Sequence, residues 1–329
     1  MIQLIPRIKR LTYSREVLME RPLPLKGTLN VKVGDAVDPV TRLGMTKLST
    51  AVSYIPLDLT FAKGKFDTGY FYTGEKIGRS KLKKVIAPFD GYMSKSDKSY
   101  IFTQEPKEHW LLSGVWGKVE KKIESMSVLI RTQTVDIKLA VCSSRYISGE
   151  FIVFPNPSDL LQSQYLENFS KDVYGKIIYL GEFATPVAVE KAVQLGVGGL
   201  IAGSTDKQTF EYAKNQKIFI GLINGFGRIE TPDYIFDFIK EVSNRYVFIQ
   251  GERNLLRIPI PQERLAGLEP DTGPVLVKPV PGTRIQLFQK PYYGYLGTIK
   301  DVQEGVIYVT LNQVAEPVEV PLHGVLAVD

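Results

Sequence analysis

The stretch "KIIYLGEFATPVAVEKAVQLGVGGLIAG", residues 176 to 203, decides the fold class of the middle of the chain. Its apolar start, Ile177 to Leu180, is short enough for a buried strand and too short for a helix. Thr185 then stands where a helix N-cap needs a side-chain oxygen. Pro186 suits the first helical position, whose N–H has no partner in any case, and Gly196 can end the helix in a left-handed conformation. "GGLIAG" closes the unit as a second apolar run. Strand, helix and strand with short connections predict a parallel crossover.

Working outward, the same alternation continues on both sides. "EFIVF" reads as a strand and "SDLLQSQYLENF" as a helix beginning at Ser158. After the quoted stretch come a helix from Thr205 to about Asn215, the strand "KIFIGLI", a helix from Pro232 to Ser243 and the strand "YVFIQ". Five strands interleaved with four helices predict a three-layer α/β domain over residues 139–255, with a mostly parallel sheet covered on both faces. Ligands of such sheets occupy the crevice beyond the carboxyl ends of the strands. Those ends read "GEFATP", "GSTD" and "NGFGRIETP", which makes Gly181, Ser204, Thr205, Gly225 and Arg228 a candidate crevice for an anion. The alternative is that Ser, Thr and Pro cap helices while the glycines make turns, because no dinucleotide or phosphate-loop fingerprint is present.

At 329 residues the chain has room for two or three domains of roughly 100 to 200 residues, and three are expected. Apolar residues at 44% and charged residues at 23% are those of a compact globular chain. No apolar run reaches the ~20 residues that span a bilayer, and the start lacks a secretory pattern, so a cytoplasmic location without membrane attachment is expected. The formal charge of +6 is unevenly placed. Residues 1–138 carry 24 Lys/Arg against 14 Asp/Glu, whereas residues 139–280 carry 14 against 16 and residues 281–329 carry 3 against 5. Within the basic part, "KIGRSKLKK" supplies Lys76, Arg79, Lys81, Lys83 and Lys84 with no acid between them. That run is either a solvated loop or a surface for phosphates of RNA or DNA or for another anionic partner.

From Gly27 to about Lys138 short β-rich runs alternate with Gly and Pro turns, which argues for a sandwich or barrel. "VKVGDAV" followed by "VIAPFDGYM" resembles the biotinyl/lipoyl-type barrel-sandwich hybrid, in which a Gly-Asp turn precedes a strand and a Pro-x-x-Gly turn begins the symmetry-related half. The resemblance covers about 100 residues of a domain placed at 1–138. Such hybrids can carry a cofactor on a lysine at a tight hairpin between the two fragments. Here Lys47, after Met45 and Thr46, lacks the biotin-carrier setting, and the pair Asp97-Lys98 follows the second fragment. The insert from Ala51 to Lys84 replaces the carriers' short hairpin, so a structural or docking platform is expected, with no cofactor.

Groupings that would support catalysis are sparse. His109 and His323 are the only histidines and Cys142 the only cysteine, so neither a disulfide within the chain nor a cysteine-cluster zinc site is possible. Cys142 reads as a small core residue. Glu182, Asp206 and Glu230 stand near helix starts, where carboxylates are ordinary partners of the helix dipole.

After a Pro-rich connector at 256–280, a last domain is expected at 281–329. In "GTRIQLFQKPYYGYLGTIKDVQEGVIYV" glycines and aromatics crowd a turn between strands. Gly282, "KPYYGYLGTI" with Gly294 and Gly297, and the Pro317-Val318-Glu319 segment resemble the KOW motif and the SH3-like C-terminal domain of NusG-type transcription elongation factors. The resemblance covers about 48 residues and implies a small β-barrel that binds ribosomal proteins, termination factor or RNA. With three cations against five acids this module is a poor match for phosphate. Phe288, Tyr292, Tyr293 and Tyr295 are therefore either a protein-binding edge or packing against the α/β domain. The reading is a multidomain α and β chain acting as a non-enzymatic adaptor or scaffold linked to transcription or translation. The alternatives are an enzyme or small-molecule sensor using the crevice, and a structural subunit of a larger assembly.

Overall fold

The structure is a computed structural model that describes residues 3–49, 51–81, 83–154, 162–168, 172–265 and 273–328. The described residues are β-rich, with several sheets, none of them closed, and five α-helices. The chain forms two compact units. One comprises Met1–Leu18, Gly114–Gly117 and Arg131–Asp329; the other comprises Met19–Ser113 and Lys118–Ile130. The sequence predicts a division at 1–138, 139–255 and 281–329, with the connector 256–280 between the last two.

In the first unit the expected crossover is present. Tyr146–Val153, Ile177–Tyr179, Gly199–Thr205 and Phe219–Phe226 pair in parallel in that order. Every residue of Gly199–Thr205 is buried, as expected for a strand covered on both faces. The helices Gln162–Asn168, Pro186–Gln194 and Lys207–Asn215 bury Leu166, Ala188, Val189 and Phe210 against Ile178, Leu200 and Ile220. The helix Asp233–Glu241 covers the other face through Ile235 and Ile239, which meet Ile177, Ile201 and Phe219. Thr185 caps its helix as the sequence predicts, accepting from the Ala188 N–H at 3.3 Å. The expected start at Ser158 lies outside the described residues.

Two expectations are corrected. Tyr246–Gln250 runs antiparallel to Tyr146–Val153, and it leads into the antiparallel strands Leu255–Pro259 and Ser127–Lys138, so the sheet is mixed. The short return after Asp233–Glu241 brings the chain back without a full crossover. The third helix begins after Asp206 rather than at Thr205. Thr205 completes a strand and donates its hydroxyl to Ala184 O, while Asp206 accepts from the Thr209 N–H at 2.8 Å.

The C-terminal strands form an open seven-stranded sheet in the order Leu276–Val277, Ile5–Ile8, Val325–Val328, Arg284–Leu287, Leu296–Gln303, Val306–Leu311 and Val318–Pro321. Two strands from outside 281–329 extend it, in contrast to the closed barrel that the KOW resemblance implies. Ile5–Ile8 pairs in parallel with Val325–Val328, and Ile5 is fully buried among Ile285, Ile299 and Val325.

In the second unit, Lys83–Ile86, Lys76–Ser80 and Leu59–Phe61 form one sheet, and Val52–Ile55, Tyr100–Gln104, Gly91–Lys95 and Gly69–Phe71 another. Their inner faces share Ile55, Leu59, Phe71, Ile77, Met93 and Phe102. The insert 51–84 thus supplies much of this core. Lys47 lies within the strand Arg42–Leu48, opposite Glu108, and not at a hairpin tip.

Gly294 (φ +86°) fixes how the C-terminal turn meets the parallel strands: a Cβ there would lie 2.4 Å from Arg228 O. Gly294→Ala is expected to cost about 1–3 kcal/mol through left-handed strain and the backbone clash. Urea unfolding would read this as a lower midpoint at unchanged slope.

Candidate functional site

The five cations singled out by the sequence lie together on one hairpin. Lys76–Ser80 and Lys83–Ile86 pair antiparallel with Lys83 opposite Ser80 and Lys84 opposite Arg79, and Lys81 (φ 54°) stands at the turn. The apolar residues of these strands hold the hairpin to the unit's core, Ile77 fully buried and Val85 packed beside it. The cations face outward, all five exposed. None of them makes an ion pair or side-chain hydrogen bond with the described residues. Asp58, which borders the same surface, accepts from the Ser80 hydroxyl at 2.7 Å and is the acid nearest the cluster in the lining of the adjoining cavity. Like charges directly opposite each other weaken an antiparallel pair, as Lys84 and Arg79 do here, so folding does not account for them. A surface cavity of about 790 Å³ adjoins Lys81, Lys83, Lys84, Pro56 and Ile86.

The crevice and the aromatic turn of the first unit occupy each other. Ser204 and Thr205 are fully buried, and their hydroxyls donate to Glu182 O at 3.0 Å and Ala184 O at 2.7 Å. A Cβ on Gly203 would stand 2.4 Å from Thr231 Oγ1 and 2.5 Å from Glu182 O. Gln162, which is buried, donates to Leu180 O and Phe183 O and accepts from both the N–H and the hydroxyl of Thr185. Gly181 and Gly225 are buried, while Arg228 is exposed with its guanidinium 4.5 Å over the Phe183 ring. The groups expected to receive an anion are therefore largely spent on the protein's own backbone.

What fills this end of the sheet is the C-terminal turn. Gln286 Nε2 donates to Glu230 O at 2.9 Å and to Gly294 O at 3.1 Å. The Leu296 N–H donates to Glu230 Oε2 at 3.2 Å, and Arg10 donates to Ile223 O and Gln286 Oε1. Tyr293 donates to Phe226 O at 3.3 Å and meets Phe288 edge to face at 5.6 Å. Tyr292 and Tyr295 are partly buried against the C-terminal core. Of the four aromatics offered as a protein-binding edge, Tyr293 alone is exposed, at 40%, and it packs beside Gly227.

Among the other titratable groups, burial pushes the Cys142 thiol up to about 11, and its Sγ lies 3.3 Å from Gly251 O and 3.2 Å from Asn254 Oδ1, the setting of an inert thiol. His109 and His323 are both exposed. No cluster of three or more His, Cys, Asp and Glu that could hold a metal is found among the described residues, and no described helix is long and apolar enough to cross a membrane.

Two features were missed in the sequence. On the outer face of the sheet containing Gly91–Lys95, Tyr70 stands opposite Tyr92, and Tyr54 lies opposite Ile101. The Tyr70 ring meets those of Tyr92 and Tyr72 edge to face at 4.9 and 5.1 Å, while Tyr54, Tyr72 and Tyr92 are 72%, 67% and 51% exposed. The alternation in "GYFYTG" carries the signal: Phe71 points to the core and its two tyrosine neighbours away from it. The second is the buried pair Asp136–Arg257, signalled only by an acid in "TVDIK" and a base in "LLRIP", each flanked by apolar residues. No protein-family model matches the chain, and no curated protein matches it in sequence.

Burial raises the pKa of Glu230 above its ordinary 4.5, with the neighbouring Glu182 and Asp233 adding to the shift and the Leu296 N–H opposing it. The folded state therefore holds this proton more tightly than the unfolded chain, and stability falls as pH rises from 4.5 through the folded value. Glu230→Gln keeps an acceptor for Leu296 and removes the titration. It is expected to raise the thermal midpoint at neutral pH and flatten that part of the pH profile. Tyr295→Ala is expected to cost about 1–3 kcal/mol in urea unfolding, the behaviour of packing rather than of a free recognition edge.

Proposed function

We infer that this protein is a non-enzymatic adaptor whose basic hairpin engages a polyanion, RNA or DNA. The observation that carries the reading is five exposed cations on one hairpin, none of them ion-paired among the described residues. Charge placement supports it. The second unit holds 18 Lys/Arg against 12 Asp/Glu, so the whole formal +6 of the chain resides there and the first unit is balanced. Such a surface attracts phosphates and releases counterions on contact.

The exposed tyrosine ladder of the same unit is the better surface for a protein partner. Its rings are preorganised by edge-to-face contact and need little ordering on binding. The KOW-like turn, by contrast, spends its aromatics inside its own unit. The resemblance of residues 281–329 to NusG-type modules is what supports linking the proposed adaptor with transcription or translation. An enzyme or sensor acting in the crevice has less support, because Ser204, Thr205 and Gly203 are committed to local packing.

Replacing Lys81, Lys83 and Lys84 together by Glu is expected to weaken RNA or DNA binding by the full chain. It should also reduce the slope of log K against log salt by about 2 to 3, as loss of three phosphate contacts requires. Fluorescence anisotropy across a salt series measures both. Equal affinity and slope in the variant would sink the reading.

A further inference from the structure

The basic hairpin also carries apolar surface that its folding leaves outside the core. Val85 and Ala87 pack into the unit's core, so alternation along the strand places Lys84 and Ile86 together on the outer face. Lys84 stands opposite Arg79 and Ile86 opposite Lys76, which sets an isoleucine among three cations. Ile86 is 48% exposed. It lines the cavity of about 790 Å³ together with Pro56, Lys81, Lys83 and Lys84, and Asp58 adds a carboxylate to the same wall.

This wall is not that of a simple phosphate site. Phosphates draw on the cations and gain nothing from Ile86 and Pro56, whose contact stabilises a ligand only where the ligand brings apolar surface of its own. Asp58 narrows the ligand further. Its Oδ1 accepts from the Ser80 hydroxyl, and its Oδ2 makes no hydrogen bond or ion pair with the described residues. A carboxylate in the wall opposes a second anion or an acyl chain at that point, but it accepts from an N–H of a neutral ring. The shape points the same way. A bilayer is met by protruding apolar side chains, whereas Ile86 lies on a sheet face beside a hollow.

Resting on the reading of the hairpin as the polyanion contact, we propose that the polyanion is a single-stranded nucleic acid, its phosphates on the hairpin cations and one unpaired base seated over Ile86 and Pro56. A single strand alternates one phosphate with one base, as the outer face of the hairpin intersperses cations with apolar surface. A duplex offers the phosphates but keeps the faces of its bases stacked inside, and a polyglutamate offers charge without a flat apolar face. Neither uses the whole wall. The cations set the affinity, and the apolar contact sets the preference for unpaired bases.

Fluorescence anisotropy of the full chain with a labelled single-stranded oligonucleotide, and with the duplex of the same sequence in the same salt, tests this. The single strand is expected to bind about tenfold more tightly than the duplex. Ile86→Ser is expected to weaken the single strand about five- to tenfold, as loss of most of an isoleucine contact requires, with duplex affinity, salt slope and thermal midpoint unchanged. The unchanged slope separates a lost base contact from a lost cation, whose removal lowers it. Should Ile86→Ser fail to fold, Ile86→Thr keeps a β-branched side chain on the strand and carries the same test. Equal affinity for single strand and duplex, or a single-strand preference indifferent to the Ile86 variant, overturns the inference. So does competition by polyglutamate or by phosphatidylserine vesicles as effective, at equal charge, as competition by the unlabelled single strand. Those results leave the hairpin cations as an anion contact, whereas binding indifferent to the hairpin triple variant, or no binding of any oligonucleotide, defeats the hairpin reading itself and this inference with it.

Discussion

Everything in the first unit turns on the docking of the Phe288–Leu296 turn against the carboxyl ends of the parallel strands. Gln286 and Arg10 bind backbone carbonyls there, Glu230 holds the Leu296 N–H, and Gly294 lets the two backbones approach. Buried backbone groups at the ends of strands must find partners, and a ligand crevice leaves that task to water or ligand. Here the protein's own C-terminal sheet does it. The same docking holds the Tyr293 hydroxyl on Phe226 O, while Tyr292 and Tyr295 pack into the C-terminal core.

The second unit carries surface features that its own folding does not account for. Its core needs Ile55, Leu59, Phe71, Ile77, Met93 and Phe102, and those residues fix both sheets. Neither the outward cations nor the outward tyrosines add to it. Exposed like charges on paired strands and large exposed rings on a sheet face both carry a cost in stability or solubility, which is the physical ground for proposing that they bind.

The sequence was legible where structure is local. Thr185, Pro186 and Gly196 marked one helix because capping and termination depend on a few adjacent residues, and "KIGRSKLKK" exposed its charge because no acid interrupts it. Long-range closure was not legible. The pairing of Ile5–Ile8 with Val325–Val328, the bond from Glu230 to Leu296 and the Asp136–Arg257 pair join residues far apart in the chain, and no local period encodes such partners. The antiparallel direction of Tyr246–Gln250 escaped for the same reason, since an apolar strand reads alike in either direction.

The central claim is that the hairpin cations are the polyanion contact. Lysine-reactivity footprinting of the full chain, with and without a saturating oligonucleotide, tests it at residue resolution. The account predicts that Lys81, Lys83 and Lys84 become protected while lysines of the first unit, such as Lys191 and Lys240, react as before. Protection confined to other lysines, or none at all under conditions where the oligonucleotide is bound, would contradict it.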